Sequence, residues 1–240
     1  MERIDEIGFG KLKLIQETDE FCYGVDAVML ADFAVKMAKP FDKVLDLGTG
    51  TGIIPLILSH KTKANHIFGI EVQENSFNLA QRNAKENGLS DRVSFLHLNV
   101  KDVKADVGYM EGSFDLITTN PPYTKGGSGI QNGNIAKTIA RHEVEASLED
   151  FIGAAAYLLK DKGDFVMVHR PARLVDIAEA CRKYRLEPKE IQFVSPRQGE
   201  APNIMLMHAV KNAGRELKML EPIAVYEGEG YSEQIKEMYR

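Results

Sequence analysis

From Lys43 to Val210 the chain alternates between short apolar, β-rich runs and stretches with helical periodicity, and this alternation limits the possible folds. Lys43–Leu47, His66–Glu71, Val93–Leu98, Phe114–Asn120 and Asp164–His169 read as strands. Ile53–His60, Glu74–Asn87, Leu148–Lys160 and Arg173–Arg185 read as helices among them. A crossover helix returns the chain to the same end of the sheet, so such units demand parallel pairing. Two further runs, Glu190–Val194 and Asn203–Val210, are joined only by Ser195 to Pro202. That link is too short for a parallel crossover and predicts an antiparallel hairpin. The expected class is therefore α/β, a doubly wound, mostly parallel sheet that ends in an antiparallel hairpin. An earlier helix, Val25–Met37, carries apolar residues at 25, 28, 29, 30, 33 and 37, and Asp26 near its start suits an N-cap. The expected division is an N-terminal extension of short strands over 1–24, one domain over 25–215, and a tail over 216–240. Gly228, Gly230 and the charges of the tail suggest a loose end.

Chemistry concentrates where these strands stop. The first passes into Asp46-Leu47-Gly48-Thr49-Gly50-Thr51-Gly52, whose glycines permit a tight turn and close approach of a ligand. A dinucleotide fingerprint would need a third glycine where Ile53 stands, and Asp46 suits an ammonium group better than a pyrophosphate. The second strand ends at Glu71, where an acid can accept hydrogen bonds from two ribose hydroxyls; a helix N-terminal acid favoured by the dipole is the plainer account. The strand Phe114–Thr119 runs into Asn120-Pro121-Pro122-Tyr123. Proline ends the pairing and leaves a rigid rim with an amide oxygen, an uncommitted carbonyl and a flat ring. Two acceptors and a ring suit a planar NH2 group, and hence methyl transfer to an exocyclic or amide nitrogen. A proline-rich strand exit without chemistry is the alternative.

Taken in order on successive strand ends, Asp46 to Gly52, Glu71 and Asn120 to Tyr123 resemble the class I S-adenosylmethionine-dependent methyltransferases. The resemblance implies a Rossmann-like, seven-stranded sheet and S-adenosylmethionine as cofactor. It implies that Asp46, Gly48, Thr49 and Gly50 flank the methionine part of that cofactor and Glu71 its ribose. Asn99 stands where the family usually has an acid near the adenine, which leaves that contact among Asn99, Val100 and Asp102. It also implies catalytic roles for Asn120, Pro121 and Tyr123, with Asn120 touching the cofactor as well. Phe21 to Leu30, Ala140-Arg141-His142-Glu143, Pro171 with Arg173, and Pro196 to Gly199 are similar to the bacterial tRNA adenine-N(6) methyltransferases. Members of that group modify position 37 of a valine tRNA, and in them the counterpart of Asp26 lies over the cofactor. His142 is then an RNA contact or a capped or core histidine, and Arg141 and Arg197 are phosphate contacts or plain surface residues. Ribosomal RNA amines and the glutamine amide of a release factor remain alternative substrates, since their methyltransferases share the Asn-Pro-Pro-Tyr motif.

The formal net charge is −5, but it is uneven: residues 121–220 carry 15 Lys+Arg against 12 Asp+Glu, whereas residues 1–120 carry 13 against 18. A polyanion such as RNA is expected on the later, basic segment. Cys22 and Cys181 are far apart, with no metal-ligand spacing, so neither a disulfide framework nor a metal is expected. A charged start without an apolar h-region and the lack of a membrane-length apolar run lead us to expect a soluble, cytoplasmic protein.

Overall fold

The computed structural model describes residues 2–17, 23–40, 42–123 and 146–240. Its centre is a ten-stranded sheet. Seven strands form the expected body: β3 (Lys43–Leu47), β4 (His66–Glu71), β5 (Val93–His97), β6 (Phe114–Thr119), β7 (Leu159–His169), β8 (Leu186–Arg197) and β9 (Ile204–Lys211). They lie in the order β8-β9-β7-β6-β3-β4-β5. The pairs β3–β4, β4–β5, β3–β6 and β6–β7 are parallel, while β9 runs antiparallel to both β7 and β8. Helices α1 (Val25–Val35), α2 (Ile53–Lys61), α3 (Glu74–Glu86), the short α4 (Val103–Asp106), α5 (Leu148–Leu158) and α6 (Leu174–Lys183) accompany them. Two apolar cores result, one built around α1 and α2 and the other around α5 and α6. The central strands are apolar on both faces, so Val44, Leu45, Leu116 and Ile117 are all fully buried.

Local chemistry explains the boundaries. Ser147 and Asp150 form a reciprocal capping box at the start of α5: the Ser147 hydroxyl accepts from the Asp150 N–H, and the Asp150 carboxylate accepts from the Ser147 N–H. Helix α3 stops at Asn87, with Gly88 at φ +66°, as the Asn-Gly pair predicts. Three expectations need correction. The N-cap of α1 is Gly24, so Asp26 lies inside the first turn and its carboxylate is available elsewhere. Strand β7 starts directly after α5, at Leu159, and tolerates this with a register irregularity opposite Phe114 and Leu116. Strand β8 extends well beyond Glu190–Val194 because its register shifts between Pro188 and Glu190, where a residue without an N–H does least harm.

The C-terminal segment is not loose. Strands β10 (Lys218–Met219) and β11 (Ile223–Glu227) pair in parallel with β8, and β12 (Gly230–Tyr231) folds back on β11. Helix α7 (Glu233–Met238) then buries Ile235, and Lys61 Nζ ties it down through the Met238 carbonyl at 2.6 Å. Burial of Ile223, Val225 and Ile235 contributes about 1.5–3 kcal/mol each relative to exposure. Their short apolar pattern is obscured in the sequence by the surrounding glutamates and glycines.

The N-terminal strands β1 (Glu2–Glu6) and β2 (Lys13–Glu17) form a separate antiparallel hairpin. Two asparagines one helical turn apart on α3 hold it. The Asn83 amide accepts from the Ile15 N–H at 2.7 Å and donates to the Ile15 carbonyl at 3.1 Å, and Asn87 does the same with Lys13 at 2.8 and 2.7 Å. An i,i+4 step along a helix is about 6 Å and an i,i+2 step along a strand about 6.6 Å, so the two side chains act as a substitute strand.

Candidate active site

Because β3, β4, β6 and β7 are parallel, their carboxyl ends meet along one edge, the place where open α/β sheets bind ligands. Asp46, Gly48, Thr49, Gly50, Glu71, Asn120, Pro121 and Tyr123 stand along it. The loop after β3 is pinned to the end of β4: the N–H groups of Gly48 and Thr49 both donate to the Ile70 carbonyl at 2.9 Å. The N–H of Gly50 donates to Glu71 Oε2 at 2.9 Å, and that of Gln73 donates to Oε1 at 2.8 Å. Glu71 is thus buried with one backbone N–H on each oxygen, which satisfies the helix-terminus account and still leaves lone pairs for ligand hydroxyls.

The two glycines differ. Gly48 has φ +69°, and a Cβ there would lie 3.0 Å from Phe151 Cε1, so this position is small to let α5 pack. Gly50 has φ +57°, and a Cβ there would meet nothing within 4 Å. The space over Gly50 is a cradle that a ligand can occupy.

Asp46 is fully buried beneath this loop. Its Oδ1 accepts from the Thr118 hydroxyl at 2.7 Å, whereas its Oδ2 and the Thr49 hydroxyl have no hydrogen-bond partner among the described residues. Burial raises the carboxyl to about 7; the Thr118 and Thr49 hydroxyls act against that rise and the charge of Glu71 adds to it. Although the Thr49 hydroxyl is near enough to act electrostatically, it does not complete a hydrogen bond. An unsatisfied buried carboxylate oxygen is costly alone and is relieved by a cationic donor, so the pocket fits a ligand with an ammonium group.

At the next strand end, Asn99 accepts from the Lys101 N–H at 3.0 Å and so caps a 3₁₀ turn over Val100–Asp102. Val100 is buried and Asp102 exposed, so these candidates differ in surroundings although they are neighbours in sequence.

On the other side of the loop, the register Leu47↔Thr119 sets Asn120 beside Gly48. The Thr119 hydroxyl donates to the Leu47 carbonyl at 2.9 Å and fixes this alignment. Pro121 is buried; Asn120 and Tyr123 are half-buried. The Tyr123 phenol donates to Asp26 Oδ2 at 3.0 Å. The Arg170 guanidinium lies over the Tyr123 ring, 4.8 Å from its centroid, and His169 meets it edge-on at 5.2 Å and 66°. Desolvation, with Asp26 alongside, holds the phenol well above its ordinary pKa. Desolvation, reinforced by the Arg173 charge, lowers His169 to about 4, so the imidazole is neutral at physiological pH, and its Nδ1 accepts from the Arg170 N–H at 2.8 Å. His169 and Arg170 were not singled out as site residues. The available signal was their position at the carboxyl end of a parallel strand, next to the Asn-Pro-Pro-Tyr strand.

Three comparisons with known proteins bear on this geometry. Residues 26–177 match the profile described as "Methyltransferase small domain". The chain belongs to the methyltransferase small domain family. This methyltransferase is 30% identical over 185 residues to a protein of Porphyromonas gingivalis named tRNA1(Val) (adenine(37)-N6)-methyltransferase, covering 76% of the chain and 72% of that relative. A relative with the same name in Bacteroides thetaiotaomicron is 28% identical over 223 residues, covering 90% of the chain and 88% of the relative. In fold, the methyltransferase resembles a solved structure from Agrobacterium tumefaciens titled a predicted O-methyltransferase, with a TM-score of 0.72 at 22% identity, covering 89% of this chain and 95% of that one. The expected seven-stranded body is present, and β10 to β12 extend it. Among the described residues of the methyltransferase, no helix is long and apolar enough to cross a membrane. Phe21, Cys22, Arg141 and His142 lie outside the described residues.

Proposed function

We propose that this enzyme transfers a methyl group from S-adenosylmethionine to the N(6) amine of adenine 37 in a valine tRNA. The observation that carries the reading is the register that sets Asn120 and Pro121 beside the glycine loop. The family match and the names of the relatives support the same reaction. The cofactor fits the pocket: Asp46 and Thr49 would hold its ammonium end, Gly48 and Gly50 the chain next to it, Glu71 its ribose and Asn99 or Val100 its adenine. It supplies an electrophilic methyl group on a sulfonium centre.

The amine of adenine is a weak nucleophile because its lone pair is delocalised into the ring. Asn120 Oδ1 and the Pro121 carbonyl would each accept one of its hydrogens, drawing the nitrogen toward tetrahedral geometry and freeing the lone pair. Positioning and electrostatics are the chain's contribution, and displacement at a sulfonium calls for neither a protein nucleophile nor a Lewis acid. Tyr123 would stack on the extruded base, a contact worth roughly 1–3 kcal/mol in single-strand sites. Arg197, exposed at the end of β8, would face the RNA backbone. Acting on tRNA, it would work in the cytoplasm.

The test is methyl transfer from labelled cofactor to unmodified tRNA, ribosomal RNA and release factor side by side. Label in valine tRNA, recovered as N(6)-methyladenosine, is the expected result. Label only in protein overturns the RNA assignment and leaves glutamine methylation.

A further inference from the structure

The Tyr123 ring is held at three points by elements remote in sequence. Its hydroxyl is tied to Asp26 in the first turn of α1, one face lies under Arg170, and its edge meets His169. Arg170 is itself fixed, since its guanidinium donates to the Asn203 carbonyl at 2.9 Å and its backbone N–H to His169 Nδ1. Asp26 is not consumed as a helix cap. The resemblance places Asp26 over the cofactor; in the structure one of its carboxylate oxygens, Oδ2, accepts from the Tyr123 phenol.

Resting on the RNA-base reading above, we propose that Asp26 and Arg170 are positioning residues that clamp the Tyr123 ring plane, so that the target adenine stacks in one orientation with its amine at Asn120. An anion at the rim and a cation on the face hold a phenol more firmly than either alone, because the hydroxyl donates to the first while the ring quadrupole attracts the second. Only the orientation of the bound base depends on the clamp. Its loss therefore acts on turnover, with little effect on the capture of cofactor or RNA.

The experiment is a double-mutant cycle of Tyr123→Phe and Asp26→Ala, read as kcat and KM for unmodified valine tRNA and as the Kd for S-adenosylhomocysteine by calorimetry. Each single variant is expected to lower kcat about tenfold, with KM and Kd within about twofold of wild type. The double variant should lose no more than either single, since both break one hydrogen bond. Asp26→Asn, whose amide oxygen still accepts the phenol proton, should recover most of the rate, and Arg170→Ala should lower kcat in the same way. Additive losses, or S-adenosylhomocysteine affinity that falls with Asp26→Ala, overturn the clamp. Wild-type enzyme that methylates protein instead of tRNA overturns the RNA reading alone, and the same cycle on that substrate then decides the clamp.

Discussion

The two halves of the carboxyl edge are built in contrasting ways. On the β3–β4 side, backbone groups fix the acid at the strand end: Glu71 takes the N–H groups of Gly50 and Gln73. On the β6–β7 side, side chains hold side chains: Tyr123 is fixed by Asp26, Arg170 and His169. On the proposed reading, the first half would bind by a preformed loop and the second would orient the base by an aromatic assembly from three elements. The difference teaches that a cofactor common to a family can be met by a local motif, whereas orienting a particular base requires groups from distant parts of the chain.

The sharpest way to break this comparison is Asn120→Ala. It should lower kcat about 10²–10³-fold, the range for removing one preorganised polar group, with the Kd for S-adenosylhomocysteine little changed. Normal turnover would end the assignment of catalysis to the β6 side. Next in size, Glu71→Ala should weaken S-adenosylhomocysteine roughly 10–100-fold and lower the melting temperature, since two charge-assisted bonds to part-buried backbone are lost. Calorimetry showing unchanged affinity would put the ribose elsewhere.

Acid should separate the halves by sign. Asp46 is raised from 3.8 to about 7, so its stabilising contribution is complete below pH 4 and is lost as pH rises through 7. Asp46→Asn should therefore stabilise the cofactor-free protein at pH 8 by on the order of 1–3 kcal/mol in denaturant unfolding. It should also remove the loss of S-adenosylhomocysteine affinity expected in wild type below pH 7. His169 acts the other way: lowered to about 4, its contribution is complete above pH 6.5 and is lost as pH falls through 4. An Asp46→Asn protein whose stability still falls from pH 4 to 8 would count against this account. The smallest effect is expected from Asp102→Ala, which is exposed and should change S-adenosylhomocysteine affinity less than about twofold in calorimetry. A larger loss would move the adenine contact away from Asn99 and Val100.

Much of this was legible in the chain itself. The order of strands and helices, the antiparallel hairpin, the glycine loop on Asp46, Glu71 at the second strand end and the Asn-Pro-Pro-Tyr exit all follow from local periodicity and turn chemistry. These signals span a few residues, so a linear reading finds them. The family resemblance, not local periodicity, offered Asp26, Asn99 and Val100 as candidates, without saying what each side chain bonds to. The resemblance set Asp26 over the cofactor, and the structure adds a bond to its Oδ2 from a tyrosine 97 residues away.

The sequence by itself determined the alternation, the parallel body and the strand-end positions of the chemistry, because hydrophobic period and proline and glycine geometry act at short range. Only the tertiary structure decided the Tyr123 assembly, the pinning of the N-terminal hairpin by Asn83 and Asn87, and the docking of β11 on β8. Each depends on which polar group is left without a backbone partner once the sheet has formed. No local pattern records that, because the groups that satisfy one another are brought together by packing and not by adjacency.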